Sequence, residues 1–171
     1  MKPGVWHRLD LAARQVVPVS ITLALLFLGM VPLHVPGFSQ VMPGFAMMAI
    51  FHWGIYRPGL LPQSAVFLLG LLQDIFLGTP LGLHSLLYLG VYGTVTFQQG
   101  FFYDKSFFVI WLVFAMVSGA AMILGLLLIS LVNAGFVAPG PAFFQYFLTL
   151  GFFPVVSWLL SRTHRLVLED L

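Results

Sequence analysis

The chain has 171 residues, of which 60% are hydrophobic and only 7% charged, with 18 Phe, no Cys and a formal net charge of +2. With a mean hydropathy of +1.03, this composition excludes an ordinary soluble globular domain and points to an integral membrane protein. Without Cys, disulfides, thiolate catalysis and Cys-ligated metals are excluded, and the sequence pI of about 9.2 reports Lys and Arg in loops, not a nucleic-acid surface.

The first element follows Lys2, Arg8 and Arg14 as an apolar run from Val16. This order matches a signal peptide, but no small-residue cleavage site follows. The run passes into PLHVPGFSQVMPG and reads as an uncleaved first transmembrane helix, roughly residues 16–35. Pro-Gly steps at Pro36-Gly37, Pro43-Gly44, Pro58-Gly59 and Pro139-Gly140 then punctuate the apolar sequence. They delimit five more spans at about 41–56, 59–78, 80–98, 107–132 and 142–161. The second is the shortest: from Pro43 to Tyr56 a helix covers only about 20 Å of a roughly 30 Å hydrocarbon core. It is read as short, tilted together with an irregular 33–44 segment, or buried by its neighbours. Pro154 in the last span is expected to kink it or to free a carbonyl for a neighbour to satisfy.

Charge supports the count. With six spans, all seven Lys and Arg lie on one side: Lys2, Arg8 and Arg14 before the first span, Arg57 after the second, Lys105 after the fourth, Arg162 and Arg165 after the sixth. The three opposite loops carry no charge. The positive-inside rule therefore gives an all-α membrane fold of six transmembrane helices, N-in and C-in, forming one domain over residues 1–171.

One acid, Asp74, sits inside apolar sequence, in FLLGLLQDIFLGTPLGLHSLL. An intramembrane ionisable group is a functional-site hypothesis by default. The turn Gly78-Thr79-Pro80 makes the third and fourth spans an antiparallel hairpin, with Gly78 ending one helix, Thr79 capping the next and Pro80 in its first turn. Asp74 lies four residues before that turn and His84 four after it, so the two share one depth, about 6 Å from the hairpin's outer end. The pair reads either as a tie that holds the hairpin, as part of a polar patch open to the extracytoplasmic side, or as a proton relay. His34 and His52 are isolated and lack ligand spacing, so no metal site is expected. Ser64, Ser85, Ser118 and Ser130 have no activating context, and no catalytic motif appears. Small residues recur four apart at Ser20/Ala24, Ala115/Gly119 and Ala121/Gly125, with Gly82, Ser85, Gly90 and Gly93 in the fourth span. They fit close helix packing.

The stretch FHWGIYRPGLLPQSAVFLLGLLQDIFLGTPLGLHSLLYL resembles the central region of the rod shape-determining protein MreD family. The matching positions are Trp53, Arg57, Pro58, Gly70, Leu71, Asp74, Gly78, Leu81, Gly82 and His84. The end, FFPVVSWLLSRTHR, resembles that family's Pro-containing last span and basic tail. The resemblance implies a non-enzymatic component of the bacterial inner membrane, without cofactor, acting in cell-wall elongation. Its implied partner is the scaffold protein MreC, and through it the MreB filament, RodA and a class B penicillin-binding protein; membrane lipid and a second copy of the chain are further partners considered. It also implies a helix arrangement similar to the substrate-binding component of energy-coupling-factor transporters. The candidate partner or ligand site is Asp74, His84, Gly78, Thr79, Pro80, Gly82 and Arg57. The competing reading is the substrate-binding component of a vitamin-type transporter, which shares the topology.

Overall fold

The computed structural model describes residues 5–31, 42–102, 104–135 and 137–168. The end of the expected first span, the start of the second and His34 fall at 32–41, outside the described residues. Among those described, all regular structure is helical: α1 (Val5–Gly29), α2 (Phe45–Tyr56), α3 (Gln63–Leu77), α4 (Leu83–Phe97), the single turn α5 (Gln99–Phe102), α6 (Phe107–Val132) and α7 (Gly140–Leu168). The 26 residues of α6 and residues Gly140–Thr163 of α7 are long and apolar enough to cross a membrane.

The short α2 is the centre of the fold. It packs against α1, α4 and α7, and its residues from Met48 to Ile55 are all buried. A helix apolar on every side is stable only when enclosed. Burial by neighbours is thus what this short segment shows. Phe51 of α2 makes edge contacts with Phe102, Phe114 and Phe153, and the last two stack at 4.1 Å between ring centroids. These aromatics fasten α2 to α6 and α7. Beside them His52 Nδ1 lies 3.2 Å from Ser157 Oγ, both side chains buried.

Several side chains donate to backbone carbonyls of other elements, in one case a carbonyl that a proline leaves without its helical partner. Pro154 inside α7 cannot donate to the carbonyl four residues earlier, and the indole N–H of Trp111 on α6 donates to that Leu150 carbonyl at 3.1 Å. Tyr146 O–H donates to the Ala115 carbonyl at 2.7 Å, and Tyr92 O–H reaches the Pro58 and Leu61 carbonyls, both at 2.6 Å. The last pair binds the α2–α3 loop to the far end of α4.

The tightest helix pair is α3 with α4. At Gly70 the two backbones meet directly: a Cβ there would stand 2.4 Å from Ser85 Cα and 2.5 Å from Ser85 N. The same Ser85 donates its hydroxyl to the Phe67 carbonyl, one turn before Gly70 on α3, at 2.9 Å. Close approach of this kind brings van der Waals contact and a hydrogen bond at one point. The small residues Gly90 and Gly93, by contrast, face open space.

Gly70→Ala is expected to force α3 and α4 apart and cost about 1–3 kcal/mol, the range for overpacking. Gly90→Ala, with nothing within 4 Å of the added methyl, is the matched control. Thermal unfolding of the purified protein in detergent measures both; equal midpoints for Gly70→Ala and the wild type would refute the backbone contact.

Candidate functional site

The turn between α3 and α4 is built around one carboxylate. Gly78 ends α3 in the left-handed region (φ 66°), and Gly82 precedes α4 with φ 96°, conformations that side chains disfavour. Between them Asp74, fully buried, accepts from four donors. Thr79 Oγ1 donates to Oδ1 at 2.7 Å, the Gly82 N–H to Oδ2 at 2.9 Å, and the His84 N–H to both oxygens at 3.1 and 3.2 Å. The fourth is the imidazole, with His84 Nδ1 2.7 Å from Oδ1.

This arrangement corrects the expected capping. Thr79 and Pro80 do not begin the second helix, which starts at Leu83. The carboxylate of Asp74, reaching across the turn, takes the free N–H groups at the α4 terminus instead, and Thr79 turns its hydroxyl to that carboxylate. A charged acceptor at a helix N-terminus is favoured both by direct hydrogen bonds and by the helix dipole. The same acid at the end of its own helix α3 would face the unfavourable pole, so pointing it at α4 removes that conflict.

Of the candidate residues, Asp74, Gly78, Thr79, Gly82 and His84 are brought together here. Pro80 contributes its carbonyl, which accepts from the Leu83 N–H at 3.1 Å. Arg57 does not join them. It caps the C-terminus of α2, exposed, before α3 begins. The eleven-step rise from Gln63 to Asp74 places it about 16 Å away or more along the helix direction.

With every bond of Asp74 directed inward, the carboxylate presents nothing to a ligand. His84 does: its side chain is 18% exposed, Nδ1 is committed to Asp74, and Nε2 has no hydrogen-bond partner among the described residues. The residue lines a half-open cavity of about 140 Å³. This space is enclosed by the turn ends of α3 and α4, the start of α2, the second half of α6 and the first half of α7. Its other polar walls are Gln73, Tyr88, Ser118, Gln145, Tyr146 and Thr149. Most are already bonded: Tyr88 O–H donates to Gln73 Oε1, Ser118 Oγ to the Phe114 carbonyl at 2.6 Å, and Thr149 Oγ1 to the Gln145 carbonyl at 2.7 Å while accepting the Gly44 N–H at 3.0 Å.

Sequence reasoning missed these walls. Two signals were available: Gln73 adjoins Asp74, and Tyr88 follows His84 by four residues, on the same helical face. Gln145 and Thr149 are likewise four apart. Nothing in the sequence, however, says that α7 and α4 face one another across a gap.

The family model described as rod shape-determining protein MreD matches residues 11–163, nearly the whole chain. No curated protein and no solved structure gives a significant match.

Replacing Asp74 with Leu strands three N–H or O–H donors and one imidazole, and is expected to cost about 2 kcal/mol or more. His84→Ala leaves the carboxylate its Thr79 and backbone donors and is expected to cost clearly less. Thermal midpoints of the two variants, compared side by side, check the order; His84→Ala as damaging as Asp74→Leu would show that capping of α4 is not what the carboxylate contributes.

Proposed function

The chain belongs to the rod shape-determining protein MreD family, and from that membership we propose that it is a multi-pass component of the bacterial inner membrane that binds MreC. The role in rod-shape determination rests on the match over residues 11–163, the single observation that carries this reading. The function is one of binding: MreC joins the chain to the MreB filament, RodA and a class B penicillin-binding protein, and so to peptidoglycan synthesis. In this reading the six helices of the sequence analysis cross the membrane with both termini in the cytoplasm. The 78–82 turn and its cavity then face the extracytoplasmic side, and Arg57 and Lys105 the cytoplasm.

In this reading the two polar residues have different parts. Asp74 is a positioning residue that fixes the turn and the imidazole, while His84 is the group a partner would touch. Transporter substrates need more room. Small-molecule pockets usually enclose about 300–1,000 Å³, and the cavity beside His84 has about 140 Å³. That magnitude favours a partner contact over vitamin binding.

Depletion of the protein in its own organism is expected to produce wide, rounded cells within several doublings, reversed by the wild-type chain; rods of unchanged width would remove it from shape determination. Topology is open to a direct check because the chain has no native Cys. Single variants Leu81→Cys and Asn133→Cys should react with a membrane-impermeant maleimide on intact cells, and Gly59→Cys and Ser106→Cys only after permeabilisation. The reverse pattern would invert the proposed orientation.

A further inference from the structure

We propose that the cavity beside His84 is a socket for one aromatic side chain with an uncharged hydrogen-bonding tip, a tyrosine or tryptophan presented by the partner's membrane segment. The proposal rests on the MreC-binding reading above and names the chemistry of that contact.

Size comes first. The cavity's 140 Å³ is close to the ~150 Å³ of an engineered protein cavity that admits benzene. One ring fits; an intact acyl or polyprenyl chain does not. Charge narrows the class further. Among the described residues no Lys, Arg, Asp or Glu lines the space, so none of them would neutralise a phosphate or pyrophosphate headgroup, and an unpaired cation or anion would be desolvated at several kcal/mol. What the walls do offer is neutral. Among the described residues, Gln73 Nε2 and His84 Nε2 have no hydrogen-bond partner, and the Gln145 side chain is exposed at the same mouth. Gln73 Oε1 is engaged by Tyr88, which turns the amide so that its NH₂ is the group left to give. Asp74 likewise holds His84 by Nδ1 and leaves Nε2 available.

A phenol or indole satisfies both demands. Its ring would pack against the apolar wall of Ala121 and Met122 on α6, and its O–H or N–H would meet His84 Nε2, with a phenol oxygen also accepting from Gln73. Tyr and Trp are the residues enriched where membrane and water meet, the depth at which the proposed topology puts this mouth. Such a ring anchored in a desolvated pocket is the usual form of an interface hot spot.

The full-length chain co-expressed with MreC provides the test. Ala121→Phe fills the cavity from its wall, and Ile123→Phe adds the same ring on the exposed side of α6. Co-purification of MreC should fall at least tenfold for Ala121→Phe and stay within twofold of wild type for Ile123→Phe, with both variants monodisperse. A second measurement does not depend on the Ala121 variant folding. A benzophenone residue at Met122 should cross-link MreC, the adduct mapping by mass spectrometry beside a Tyr or Trp of its membrane segment, whereas the same probe at Ile123 should label lipid. Wild-type co-purification with no Met122 adduct, an adduct to lipid alone, or full binding by a monodisperse Ala121→Phe would overturn the socket while leaving MreC binding intact. Absence of MreC from the wild-type preparation would overturn both.

Discussion

The carboxylate of Asp74 is the constraint on which the turn side of the molecule depends. It sits in the last turn of α3, is fully buried, and spends its lone pairs on the turn and the start of α4: the Thr79 hydroxyl, the Gly82 and His84 N–H groups and the imidazole of His84. A buried unpaired carboxylate would be prohibitively costly. Paired in this way it locks the order of events along the chain: α3 must end at Gly78, the backbone must turn through the left-handed region at Gly78 and Gly82, and α4 must begin where its free N–H groups meet the acid. The contact of Gly70 with Ser85, about one turn before Asp74 on α3 and next to His84 on α4, sets how closely the two helices cross.

A second theme is the treatment of backbone carbonyls. Trp111 serves the carbonyl that Pro154 releases, Tyr146 serves Ala115, Tyr92 serves two carbonyls of the α2–α3 loop, and Ser85 serves Phe67. Each bond joins two different elements. At Leu150 the bond meets a carbonyl that Pro154 leaves without its helical donor, which in apolar surroundings has no water to turn to; at the other positions the side chains add ties between elements. The polar residues of a very apolar chain are therefore concentrated where its elements meet.

The same economy shapes the cavity. Its walls hold many polar atoms, most of them used within the protein; among the described residues Gln73 Nε2, His84 Nε2 and the exposed Gln145 side chain are left to meet something new. A site of that size and neutrality suits recognition by shape and a few hydrogen bonds, consistent with a member of a shape-determining family whose proposed work is to hold a partner.

The residue pattern alone determined the helical class, the apolar segments, the hairpin about Gly78 and the pairing of Asp74 with His84 across it. These follow from local quantities: hydropathy summed over a turn, the conformational preferences of Gly and Pro, and the 1.5 Å rise of a helix. The freed carbonyl at Pro154 was legible for the same reason. Tertiary structure decided what depends on contacts between distant segments: that Asp74, and not Thr79, caps α4; that Arg57 lies at the opposite end from the pair it was grouped with; that α2 is enclosed on all sides; and that Gln73, Tyr88 and Gln145 share a cavity with His84. No local rule contains those facts, because a carboxylate chooses its donors, and a gap its walls, only once helices far apart in the chain have packed against each other.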